Sequence, residues 1–168
     1  MSIEIGHTDE ITNTQYAPLA VLCAHYQAKQ LLEPLRQVQI PIKTRVFSPG
    51  DKLIQILLSI LAGCGPLYEF NERMKPETGI AAIWHLAIFS DQSNLSRTLD
   101  ELSLKQIDVL REKTDAIKRR ISRIPSHDWR RFLWLWLDFD LSGLPCSNRA
   151  EASQKGYFSG KKTRLGVN

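Results

Sequence analysis

The segment 133–141, LWLWLDFDL, restricts this chain more than any other. Read as a strand, it puts Phe132, Trp134, Trp136, Asp138 and Asp140 on one face and Leu133, Leu135, Leu137, Phe139 and Leu141 on the other. Apolar side chains on both faces are what a strand covered on both sides requires, as in a sheet backed by helices. Two carboxylates at i and i+2 then stand roughly 7 Å apart on one face. Their repulsion costs about 2 kcal/mol at an effective dielectric of about 20. A cation between or beside them relieves that cost, so the strand reads as a holder for a negative site at its end. Gly143-Leu144-Pro145 then makes a turn, and a glycine-punctuated basic segment with Lys155, Lys161, Lys162 and Arg164 runs to Asn168.

Upstream the apolar period is helical. Leu19, Leu22, Cys23, Tyr26, Leu31, Leu32 and Leu35 recur at three- and four-residue spacing and predict a helix within 14–37, bent or ended near Pro34. Pro41 breaks that pattern, and 40–47 reads as an extended linker. Ser48-Pro49-Gly50-Asp51 offers serine at N-cap, proline at N1 and an acid at N3, which together answer the exposed amides of a helix start. The helix 49–62 stops at Gly63-Cys64-Gly65-Pro66, and its crowding of leucine and isoleucine marks it as central. A short helix at 67–74, another from Pro76 to about Phe89, and a third at 94–102 behind Ser93 come next. Ser103 caps a long helix 104–124 whose inner stripe is Ile107, Leu110, Thr114, Ile117 and Ile121. Pro125 and His127-Asp128 lead into the strand. The expected fold is mainly α with a short β-hairpin: a helical unit over 1–125 and an incomplete second domain over 126–168.

Composition narrows the function. A net charge of +4 favours an anionic partner. The basic residues concentrate: Arg111, Lys113, Lys118, Arg119, Arg120, Arg123, Arg130 and Arg131 face only Glu112, Asp115 and Asp128 over 111–131. Cys23, Cys64 and Cys146 stand far apart, which argues against a disulfide framework or a zinc site and for a reducing compartment. His7, His25, His85 and His127 are equally scattered and read as surface or core residues. The opening MSIEIGHTDE lacks the pattern of a secretory signal, and no apolar run approaches a membrane span, so a cytoplasmic protein is expected.

The acidic strand, with the turn and basic segment after it, resembles the first catalytic strand of DDE transposases from bacterial insertion sequences. Asp140-Leu141-Ser142 fits that family's Asp-x-Thr/Ser element, followed by Gly143-Leu144-Pro145. The stretch 151–158, EASQKGYF, is similar to the lead into the family's second strand, and weaker similarity reaches upstream through 51–65 and 93–97. The resemblance implies an RNase H-like catalytic domain that cuts and joins DNA with two magnesium ions. It implies double-stranded DNA, the terminal inverted repeats of a transposon, as partner, and leaves a homodimer open. Asp140 would be the metal-binding and catalytic aspartate, with Asp138 beside it. Such a site needs three carboxylates. The second Asp and the Glu lie well downstream in the family, so the chain reads as a truncated N-terminal portion, inactive alone.

DNA-contacting residues are expected in three places. The stretch 80–102 has helix-turn-helix proportions, two helices about a three-residue turn, with Asn94, Arg97 and Thr98 exposed on the second. Arg119, Arg120 and Arg123 decorate the end of the long helix, where cations also suit the helix dipole. Lys161, Lys162 and Arg164 read as contacts to a substrate strand. Trp129, Trp134 and Trp136 read as core. Two other classes stay open: a non-catalytic DNA-binding protein that represses transposition, and a helical protein-interaction module.

Overall fold

Capping chemistry divides the helical part of this chain. The computed structural model describes residues 13–44, 46–131 and 134, and the backbone of 144–145, 154–158 and 161–167. These residues are mainly helical, and the chain divides into two compact units at Ile121/Ser122.

In the first unit, α1 (Ala17–Ala28), α2 (Glu33–Arg36), α3 (Pro49–Leu61), α4 (Glu69–Arg73), α5 (Thr78–Ile83), α6 (Gln92–Asp100) and α7 (Leu104–Ile121) come in order. The helix expected over 14–37 is two helices. It breaks at Gln30, which adopts a left-handed φ of 50°, and Pro34 lies in the first turn of α2 rather than at a helix end. Proline suits that place because first-turn amides have no helical partner.

Helix α3 starts as the sequence indicates. The Ser48 hydroxyl accepts from the Asp51 amide at 3.1 Å, and the Asp51 carboxylate accepts from the Ser48 amide at 3.3 Å, a complete capping box. Gly50 sits where α2 crosses this turn: a Cβ there would lie 2.4 Å from the Arg36 Cα. Leu53, Ile54 and Leu58 are buried, and Gln55, also fully buried, accepts the Ser90 amide on its Oε1 at 2.8 Å. The main core gathers Leu19 and Cys23 from α1, Leu35 from α2, Ile54 and Leu58 from α3, and Phe70, Met74, Ile80, Trp84, Phe89 and Leu95. Phe70 and Phe89 meet edge to face with centroids 5.8 Å apart. Burial pushes the Cys23 thiol above its ordinary pKa, with Trp84 opposing the shift.

Three helices end in one way. After α1 the Gln30 amide donates to Gln27 O and the Leu31 amide to Tyr26 O. After α3 Gly63 donates to Ile60 O and Cys64 to Ser59 O. After α5 His85 donates to Ala82 O and Leu86 to Ala81 O. Each is a Schellman turn with its left-handed residue at Gln30, Gly63 or His85.

The segment 40–47 is not a free linker. Val38 and Ile40 are buried with Leu53 in a second cluster, and Ile42, Leu102, Val109 and Leu110 pack on it. The alternation Val38, Ile40, Ile42 turns one side of an extended chain inward.

Helix α5 is six residues long and stops at Trp84, short of Phe89. The connection to α6 therefore spans 84–91, and the three-residue turn expected within 80–102 is not formed. The Schellman turn at His85 redirects the chain so that Phe89 and Ser90 are buried. Helix α6 is preceded by Asp91, not Ser93, and Lys75 takes the Asp91 carboxylate at 2.6 Å. Helix α7 ends at Ile121, short of Ile124. It buries none of its 18 residues. In its expected inner stripe, Leu110 and Ile117 lean on the core, whereas Ile107 and Ile121 are exposed.

The second unit opens with a single 3-10 turn at Ile124–Ser126. The Asp128 carboxylate then accepts from the Arg130 and Arg131 amides at 3.0 and 3.2 Å. Trp129 packs edge-on against His127 and, like Trp134, remains exposed rather than in a core. That turn keeps the stretch at the surface, as loops usually run. Trp136 and the rest of the expected strand through Leu141 lie outside the described residues, apart from Trp134. Leu144 and Pro145, expected in a turn, form strand β1 (Leu144–Pro145). With β2 (Gln154–Phe158) and β3 (Lys161–Val167) it makes an antiparallel sheet of order β1-β3-β2. Leu144 pairs with Val167 and Pro145 with Gly166; Gln154 also pairs with Gly166, from the other side of β3. Proline is tolerated in such an edge strand.

Candidate nucleic-acid interface

Helix α6 presents Arg97 to solvent, with Asn94 half-buried beside it. The Arg97 Nε donates to the Ser93 carbonyl at 3.2 Å, which leaves the rest of the guanidinium outward. Thr98 is different from its expected role. It is completely buried, and its hydroxyl donates to the Asn94 carbonyl at 2.8 Å. A hydroxyl used this way on the inner side of a helix does not reach a groove.

Arg97 and Asn94 do not stand alone. With Lys43, Val46, Phe47 and Lys52 they line a polar concavity of about 390 Å³. A neighbouring cavity of about 260 Å³ shares Lys43, Lys52, Asn94 and Arg97 and adds Glu101. Lys52 comes from the first turn of α3 and is only 8% exposed. Burial, and then the nearby Arg97 charge, push its pKa below the ordinary lysine range. Among the described residues, no carboxylate forms an ion pair with Lys52, Arg97 or Lys43. The nearest acid in sequence, Asp51, is bonded instead to Arg36 at 3.0 Å and to Ser48. A cation that is partly desolvated and held beside a second positive charge is disfavoured unless an anion stands against it.

Lys43 and Lys52 were not singled out by sequence reasoning. The signal that could have found Lys52 is a lysine set among Leu53, Ile54 and Leu58 on a helix with little polar face.

The arginines of α7 are used unequally. Arg120 donates from Nη1 to the Gln30 carbonyl at 2.9 Å and from Nη2 to the Lys29 carbonyl at 3.1 Å. It closes the C-terminus of α1 with two of its donors while remaining exposed. Arg119 is exposed and lines a cavity with Asp108, Arg111, Glu112 and Asp115. Arg111, Lys113 and Lys118 pair with Asp108, Glu112 and Asp115 at 3.1, 3.5 and 3.2 Å. Three of the five cations over 111–120 are thus paired, whereas Arg119 and Arg120 form no ion pair among the described residues. Arg123, in the second unit, is exposed.

Lys161, Lys162 and Arg164 lie on β3, where Lys161 pairs with Phe158 and Arg164 with Gly156. Asp138 and Asp140 lie outside the described residues. Among the described residues no group of histidine, cysteine, aspartate or glutamate is arranged to hold a metal ion. No described helix is long and apolar enough to cross a membrane. Comparison with family models, curated proteins and solved structures finds no match.

Proposed function

We propose that this chain comes from an insertion-sequence transposase, and that its helical unit binds the DNA of transposon ends. The observation that carries the DNA-binding part is the cluster of Lys43, Lys52 and Arg97 beside Asn94, cations that form no ion pair among the described residues. Cations that lack acidic partners within the fold are what an anionic polymer neutralises, and phosphate contacts dominate affinity for DNA. The transposase assignment rests on sequence: the acidic strand ending Asp138-Phe139-Asp140, the Leu141-Ser142-Gly143 after it, and the basic segment through Arg164. In that assignment 126–168 begins an RNase H-like domain. Asp140, with Asp138 beside it, would ligate magnesium, whose chemistry is to polarise the phosphodiester and activate the attacking oxygen.

The test is titration of labelled duplex DNA with the full chain at rising salt, using inverted-repeat and unrelated duplexes. The expected result is a linear fall of log affinity with log salt and a preference for inverted-repeat ends. Binding that is indifferent to salt sinks the proposal.

A second reading, a helical protein-interaction module, draws on the apolar cavity of about 370 Å³ between α3 and α7. Ile60, Leu61 and Ile121 line it and are exposed. In that case DNA affinity is absent and alanine at Ile60 leaves all salt-dependent behaviour unchanged.

A further inference from the structure

The cluster around Lys52 is more specific than a basic surface. Four side chains from three parts of the chain converge: Lys43 from the segment after α2, Lys52 from α3, and Asn94 and Arg97 from α6. All four line both adjoining polar cavities. An ammonium brings three donors, a guanidinium brings a planar fork and an amide brings two more, so the concavity is rich in donors. Among the described lining residues the one carboxylate is Glu101, in the smaller cavity. The α3 N-terminus is not the source of the positive field, because the Ser48–Asp51 capping box already occupies its first amides.

Holding a partly desolvated ammonium beside a guanidinium, with no ion pair to either among the described residues, is unfavourable until an anion arrives. The space is many times the volume of a single water, so a tetrahedral oxyanion fits with part of its hydration. A planar carboxylate would satisfy the guanidinium fork. A tetrahedral oxyanion can accept from the fork, the ammonium and the amide together.

We infer that Lys43, Lys52, Asn94 and Arg97 form a receptor for one phosphate group, with Lys52 as its contact from α3. The identification of that group as a backbone phosphate of duplex DNA rests on the function proposed above; the receptor itself does not. The site deepens that function by naming where the helical unit grips the strand. It makes Lys52, not the arginines of α7, the anchor.

The experiment uses the full chain in two arms. Thermal unfolding is followed in sodium phosphate and in sodium chloride of equal ionic strength. The wild type is expected to gain melting temperature saturably with inorganic phosphate alone. Arg97→Ala and Lys52→Met are expected to lose that gain. Lys52→Met should melt no lower than wild type without phosphate, because the apolar stem is kept while a partly desolvated cation beside Arg97 is removed, and this separates loss of the site from loss of the fold. A phosphate response that persists in both variants, or is missing in the wild type, overturns the receptor.

In the second arm, duplex DNA binding is measured against salt. Each of the two substitutions is expected to weaken binding and reduce the log–log slope by about 0.9, the value for one phosphate contact. Unchanged DNA binding in both variants overturns the role of the site in gripping DNA. Phosphate protection with no DNA binding by the wild type sinks the proposed function but supports a receptor for free phosphate.

Discussion

Lys52 shows how one residue can work against the fold that holds it. Its burial and the neighbouring Arg97 lower its pKa, so the folded chain binds this proton less tightly than the unfolded chain does. Below the depressed folded value both states are protonated, and the full penalty is present. As pH rises through the window between that value and the ordinary lysine value of 10.5, the folded state sheds the proton first and the penalty declines. Stability contributed by this group therefore increases with pH across that window. Denaturant melts of wild type and Lys52→Met at several alkaline pH values check this, and the difference between them should shrink as pH rises. A constant difference would mean that the lysine is solvated in the folded chain. Gln55 is a milder case: its Oε1 satisfies the buried Ser90 amide, while its Nε2 has no partner among the described residues.

At the scale of elements, the repeated device is a Schellman turn finished by an arginine. Arg73 donates to the Ala62 and Gly63 carbonyls, both at 2.8 Å, at the end of α3, and Arg120 does the same for Lys29 and Gln30 at the end of α1. Both guanidinium groups face the negative pole of a helix and satisfy carbonyls that have no helical donor. Arg73 is further held by the Tyr16 hydroxyl at 2.8 Å. We expect Arg120→Ala to lower stability by about 0.5–1 kcal/mol, and Arg119→Ala, one residue away, to leave it nearly unchanged. Chemical denaturation of the two variants decides this; equal losses would remove the capping role. The left-handed positions offer the opposite sign. Gln30 and His85 adopt a conformation that costs a side-chain-bearing residue about 1 kcal/mol or more. His85→Gly should therefore stabilise by about 0.5–1 kcal/mol, offset in part by the freer unfolded chain. The same denaturation series reads this out, and a loss of stability would show that the imidazole makes contacts worth more than the strain.

For the molecule as a whole, stability is unevenly distributed over the helical unit. Helix α3 buries seven of its residues, and α7 buries none over 18. Local opening free energies track buried contacts, so α7 should open before the core does. Native-state hydrogen exchange is expected to show α7 amides exchanging at lower free energy than those of Ile54 to Leu58. Equal protection would show that α7 belongs to the same cooperative unit as α3.

Much of the helical unit could be read from the chain because its signals are local. The capping box at Ser48–Asp51 and the glycine stop at Gly63 involve neighbours in sequence, so residue types alone determine them. The apolar crowding of α3 marks it as central but not which side turns inward: Ile60 and Leu61 are exposed, while Gln55 and Ser59 are buried. Breaks at Gln30 and His85 carried no glycine to announce them, because tertiary contacts impose the left-handed turn there. The extended segment at Val38 and Ile40 looked like a linker only because its partner, Leu53, lies elsewhere in the chain. The site divides in the same way. Asn94 and Arg97 were visible as polar residues of one helix, yet Thr98 turned out to face inward, a matter of which side of α6 the core covers. Arg120 looked free until α1 supplied its carbonyls. Lys43 and Lys52 meet Arg97 only through the packing of α3 and α6. Sequence determines what each short stretch can do with its own amides and apolar side chains; which charges meet, and which stay without partners, is decided when distant segments pack together.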